Sequence, residues 1–160
     1  MADQTTEMYE LMKAFFEENV PYAKLTGIEL LVIADGHGAA QLPDRPETKN
    51  HIGTQHAGAL FTLAEAASGA ACVSLFADKI AVVRASITEA TISYVRSARG
   101  AIRAEGRLRR DGKEILSEFS NLGLVTYGVD VSLTDAEGRE VASMDVTWRI
   151  KSTITTAHAA

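Results

Sequence analysis

Cysteine is almost absent from this 160-residue sequence, with Cys72 alone. A single thiol excludes an internal disulfide framework and suits a reducing compartment. Read by itself, Cys72 is a small apolar filler within a helix. Excess positive charge is lacking too, since 16 Lys and Arg face 21 Asp and Glu for a net charge of -5. That balance argues against a general nucleic-acid coat protein. With three prolines and no Gly/Ser/Pro-rich linker or internal repeat, there is no place to divide the chain. One domain over residues 1–160 is expected, large enough for a sizeable core. The opening "MADQTTEMYELMKAFFEEN" has no basic region before an apolar core, so no signal peptide is read and a cytoplasmic location is expected. There is no Gly-rich phosphate loop, zinc-spaced Cys/His set or Ser/His/Asp constellation, hence an expectation of no metal and no bound redox cofactor.

Long hydrophobic runs are scarce as well, with one exception. "NHIGTQHAGALFTLAEAASGAAC" (residues 50–72) holds two of the four histidines and runs into an Ala/Gly-rich segment carrying one charge, Glu65. The run is long enough to raise a transmembrane reading. Ala and Gly supply much of its apolar character, and a carboxylate in lipid is costly, so no membrane partner is expected. A helix apolar all round is instead the buried centre of a soluble fold.

Around that segment the periodicities alternate. Met8, Leu11, Met12, Phe15 and Phe16 carry helical spacing over about 5–19, closed by "NVP". "TGIELLVIADGHGAAQLP" is β-rich and broken at Asp35-Gly36, a hairpin signal. Pro43 and Pro46 bracket a loop, and the long helix is expected over about 55–76. "ASITEATISYVRSA" and the alternating "GAIRAEGRLRRDG" read as strands. Ile115, Leu116, Phe119 and Leu122 predict a short helix closed by Gly123. "LVTYGVDVSLTD" and "REVASMDVTWRIK" are two more strands, and the tail over 152–160, with His158, reads as frayed. Helix, two strands, long helix and four strands predict an α+β fold with an antiparallel sheet curled round the long helix. Small residues on that helix are expected to let strands approach.

"N-x-x-G-x-x-H-x-G" running into "TLAEAASG", with "SYVRSARG" and "VSLTDAEGREVA", resembles the hotdog-fold acyl-CoA thioesterases of the phenylacetate-degradation type. The likeness covers about residues 25–151, and the insertion at 111–123 with the late tryptophan is similar to a less characterised branch. It implies hydrolysis of an acyl-CoA or aryl-CoA thioester to free acid and CoA, with coenzyme A part of the substrate. Carried over, the helix carboxylate is Glu65, the Asn is Asn50 and the motif histidine is His56. The second residue of the family's His-Gly-Gly falls on Ala57, a departure that keeps the N–H but adds a methyl. The resemblance thus implies Glu65 as nucleophile or base, the Ala57/Gly58 amides as oxyanion donors, and Asn50 with His56 as positioning groups.

The residues themselves impose a geometric condition. A helix start near His56 offers unpaired N–H groups and a positive dipole end, suited to an oxyanion. Glu65, nine positions later, lies about 13 Å along the helix and half a turn round. One chain cannot bring both to the same carbonyl. A homodimer with antiparallel central helices can, twice, by symmetry, and pairing of dimers into tetramers stays open. Gly58, Thr62, Glu65, Gly69 and Cys72 form one stripe, and Thr62 or Ser68 is expected to hydrogen-bond the carboxylate, with Gly69 leaving room. Six arginines lie between Arg96 and Arg110; Arg96 and Arg99 are the candidates for coenzyme A phosphates, the others reading as a solvated strand face. Competing readings are a Glu65 ion pair with Arg84 or Arg96, a capping role for His56, and a loop role for Asn50. His51 stands off the motif, and Gln55 is a weaker candidate for orienting water or substrate. At the level of function, a non-catalytic acyl-CoA-binding module and a hotdog dehydratase or hydratase are the alternatives.

Overall fold

The computed structural model describes residues 4–154, with side chains from residue 6. Its elements are α1 (Gln4–Asn19), α2 (Pro21–Thr26), β1 (Glu29–Ala34), β2 (His37–Leu42), α3 (Ala57–Ser74), β3 (Val83–Tyr94), β4 (Ile102–Leu108), α4 (Gly112–Leu122), β5 (Leu124–Thr134) and β6 (Glu140–Ser152). The strands form one antiparallel sheet in the order β1-β2-β4-β5-β6-β3. The sheet curls round α3, which contacts every strand. This is the expected α+β arrangement.

Local chemistry accounts for the elements. Asp35 (φ 20°) and Gly36 (φ 78°) make the two-residue turn that joins β1 to β2, the left-handed pair such a hairpin requires. Asp111 caps α4 by accepting from Lys113 N and Glu114 N, and Gly123 ends it at φ 65°. Phe119 of α4 meets Phe76 edge-on, with ring centroids 4.9 Å apart, and seals the far end of α3. α2 lies where the sequence reading put a helix stop. Pro21 is its first residue, and proline starts a helix as readily as it ends one, because the first N–H has no helical partner to lose.

α3 is long and apolar enough to cross a membrane by length and composition, but it lies inside the sheet. Leu63, Ala64, Ala67, Ser68, Ala71 and Cys72 are wholly buried. The closest approach is made on the strand side. A Cβ added to Gly38 of β2 would overlap the Ala67 carbonyl oxygen, and one on Gly106 of β4 would lie 2.9 Å from the same atom. The alanines of α3 and these two strand glycines therefore bring helix and sheet backbones together, a division of labour the sequence reading assigned to the helix alone.

β3 is an edge strand. It pairs only with β6, with one irregularity between Ile87 and Glu89. None of its residues is fully buried, and it makes few contacts with α3. The less covered face of α3 carries Phe61, Thr62, Glu65, Gly69 and Val73, each half-buried. The tail from residue 155, with His158, lies outside the described residues.

Candidate active site

Two loops position the start of α3. His56 N donates to Thr48 O at 2.8 Å and Gln55 N to Ala98 O at 2.9 Å. Gln55 is buried; its Oε1 accepts from Thr48 Oγ1 at 2.8 Å and its Nε2 donates to Gly100 O at 2.8 Å. Its amide ties the two loops together and is not offered to a ligand. Asn50 folds the turn before it. Asn50 Oδ1 accepts from Ile52 N and Thr54 N, both at 3.1 Å, and Nδ2 donates to Thr54 Oγ1 at 2.8 Å. The Asn50 amide, expected to position water or a substrate carbonyl, is thus engaged through both Oδ1 and Nδ2 inside residues 50–54.

His56 is the N-cap of α3, its Nδ1 accepting from Gly58 N at 2.9 Å. With Nδ1 accepting, the neutral ring carries its proton on Nε2. His56 is exposed, and its Nε2 makes no hydrogen bond among the described residues. Gly58 N is therefore engaged, and of the two amides expected as oxyanion donors only the exposed Ala57 N–H is without an acceptor among the described residues. Ala57 O accepts from Tyr94 Oη at 3.0 Å, which fastens the end of β3 to the mouth of α3. Tyr94 went unremarked as a site residue in the sequence; its place in "SYVRSARG" was the available signal.

Glu65 lies two helical turns further on. Burial raises its carboxyl pKa above the ordinary 4.5. Among the described residues it has no ion-pair partner, Arg84 and Arg96 included. The expected hydroxyl partners are elsewhere. Thr62 Oγ1 donates to Gly58 O at 2.9 Å, and Ser68 Oγ donates to the Glu65 backbone carbonyl at 2.8 Å while accepting from Trp148 Nε1 at 3.1 Å. Both hydroxyls are drawn to the backbone because a serine or threonine in a helix can reach the carbonyl one turn back. The carboxylate is left free to act on something outside the chain.

The expected stripe needs one correction. Cys72 is not on it: the thiol is fully buried, 3.2 Å from Tyr127 Oη, and burial pushes its pKa up to about 12. Val73 takes its place beside Gly69. Beside Gly69 lies the Trp148 ring of β6, whose edge would lie 3.4 Å from an added Cβ. Arg96 and Arg99 are exposed, on the segment between Tyr94 and β4.

A family model described as "Domain of unknown function (DUF4442)" matches residues 9–150. The chain belongs to that family. Its fold is shared with solved structures of the hotdog type. A Pseudomonas aeruginosa protein described as a probable thioesterase is 30% identical, with 89% of this chain and 95% of that one covered and a TM-score of 0.76. The Escherichia coli PaaI protein of the phenylacetic acid degradation operon is 20% identical, covering 94% and 96%, with a TM-score of 0.71. A Staphylococcus aureus thioesterase enzyme is 19% identical, covering 82% and 98%, with a TM-score of 0.69. No curated protein matches the sequence significantly. This DUF4442 chain thus shares the hotdog-type fold of these structures. In this DUF4442 chain Glu65 lies midway along the central helix, and Ala57 is that helix's first residue.

Proposed function

We propose that this DUF4442 protein is a thioesterase that hydrolyses an acyl-CoA or aryl-CoA to free acid and CoA, at two equivalent sites of a homodimer. The observation that carries the reading is a pair of uncommitted groups. Among the described residues, the half-buried Glu65 has no ion partner and Ala57 N–H at the helix start has no acceptor. They lie too far apart along one helix to meet on one carbonyl. The open edge of β3 and the apolar surface exposed beside the helix start, Ile52, Tyr94 and Val95, support a partner against that side. A two-fold axis there sets one protomer's Glu65 toward the other's Ala57.

In the general-base route, the Glu65 carboxylate takes a proton from water and the resulting hydroxide adds to the thioester carbonyl. The negative oxygen is held by Ala57 N–H and the dipole of α3, with His56 Nε2–H a second donor from the same cap. Collapse expels the CoA thiolate, which leaves as thiol with the proton from Glu65. In the nucleophilic route Glu65 adds directly, CoA leaves, and water cleaves the mixed anhydride. Neither route calls for a cofactor beyond the CoA carried by the substrate.

The test is thiol release from a panel of acyl- and aryl-CoA esters, with Glu65→Gln alongside. Turnover that falls roughly 100-fold or more in the variant supports the reading, the size general-base removal produces. Turnover indifferent to Glu65→Gln sinks it. A CoA-ester-binding module is the second reading, favoured by the capture of Gly58 N by His56, which leaves one backbone donor. It predicts saturable CoA-ester binding with no thiol released.

A further inference from the structure

The strongest unassigned feature lies at the other end of β3. An open cavity of about 830 Å³ is lined by Lys79, Arg84 and Lys151, with Ser120, Asn121 and Thr153 among the polar groups. Among the described residues no carboxylate lines it. Lys79 is paired with Asp78 at 2.7 Å, but Arg84 and Lys151 take part in no ion pair among the described residues. These two cations are also direct cross-strand neighbours in the β3/β6 register. They therefore project from the same face of the sheet. Like charges directly opposite one another destabilise a strand pair. In a chain of net charge -5, such a pair without a counter-charge is unexpected unless something else supplies one.

The Asp78 carboxylate is taken up by Lys79, and the end of α4 reaches the cavity through Leu122 and Gly123. A helix end carries about half a negative charge, screened by water. That is too little for the Arg84 guanidinium and the Lys151 ammonium together. The other lining groups, hydroxyls and a carboxamide, donate well to phosphate oxygens.

The position adds a second argument. Pairing β3 about a two-fold axis sets its beginning, at Arg84, against the end of the partner strand. That end, through the Tyr94 bond to Ala57 O, is where the helix start sits. The basic corner of one protomer then borders the mouth of the site whose oxyanion donor comes from the other.

We infer that Arg84 and Lys151, with Lys79, form an anchor for the phosphate groups of the coenzyme A portion of the substrate. This rests on the dimeric thioesterase reading above. It places the nucleotide end at the start of β3, in addition to Arg96 and Arg99 at its end. The acyl end then reaches Glu65 along the open face of α3.

The experiment is calorimetric binding of coenzyme A, dephospho-coenzyme A and pantetheine to the wild type and to the Arg84→Gln/Lys151→Gln double variant, with KM for a matched acyl-CoA and acyl-pantetheine. Both substitutions are exposed and relieve repulsion, so the variant is expected to fold; far-UV circular dichroism checks this. The anchor predicts at least a tenfold loss of coenzyme A affinity in the variant, a smaller loss for dephospho-coenzyme A, and none for pantetheine. KM for acyl-CoA rises tenfold and the gap to acyl-pantetheine closes. Coenzyme A binding equal in the two proteins, or absent from the wild type, overturns it. Arginine-dependent coenzyme A binding without thiol release would keep the anchor and sink the hydrolytic reading. Thiol release with an unchanged KM would do the reverse.

Discussion

The two sides of α3 obey different rules. Toward β2 and β4, the helix meets glycines so closely that one methyl group has no room, and every side chain is buried. On its less covered face the same helix shows half-buried residues and, among the described residues, a carboxylate without an ion partner, while the outer edge of β3 pairs with no described strand. The closed side has its polar groups satisfied within the chain, and the open side does not. Buried polar groups are normally paired, so uncommitted ones mark the surface at which the molecule meets something else.

Substitutions can break this contrast. The largest effect is expected at Gly38→Ala on the closed side. The new methyl overlaps the Ala67 carbonyl oxygen, and overpacking against backbone costs about 3 kcal/mol, read as a lower urea midpoint. Glu65→Gln on the open side should instead lower turnover roughly 100-fold, about 2.7 kcal/mol in the barrier, while the urea midpoint holds or rises at pH 7. The sign follows from burial. The Glu65 pKa is raised in the folded state, so its contribution to stability is greatest below the unfolded carboxylate pKa and is lost as pH rises through the folded one. Removing the charge removes that loss. For the same reason the acid limb of kcat/KM should lie above 4.5 in the wild type. Tyr94→Phe loses the bond to Ala57 O, worth about 1 kcal/mol, and should slow thiol release several-fold with little change in stability. The smallest effect is expected at Gly69→Ala, where an added methyl only touches Trp148 at 3.4 Å and helix propensity improves by up to about 1 kcal/mol. A urea midpoint lower by more than Gly38→Ala would erase the distinction between the two sides.

Much of the closed side was legible in the sequence because its signals are local. α3 announced itself by an apolar run with one charge, α4 by its helical apolar spacing and a closing glycine, and the β1–β2 turn by Asp-Gly. The carboxylate and the cap histidine could be placed from motif resemblance. What was not legible depends on contacts between distant residues. Nothing near Gly38 or Gly106 says that both face one carbonyl of α3. Cys72 and Val73 differ by 100° of helical rotation, too fine for a stripe drawn from spacing alone. Asn50 and Gln55 looked available to a ligand because their partners, Thr54 and Gly100, could be known only once the loops were folded. α2 was missed because a six-residue helix is too short to show a period.

The central claim is that Glu65 of one subunit works on a carbonyl held by Ala57 of the other. Ala57→Pro removes the N–H at a helical position that tolerates proline, and His56 already has the extended backbone (φ -66°, ψ 139°) that precedes proline readily. Mixing and re-equilibrating equal amounts of inactive Ala57→Pro and inactive Glu65→Gln protein should restore roughly a quarter of wild-type thiol release, since half the dimers are mixed and each holds one intact site. No recovery, with subunit exchange verified, would contradict the account.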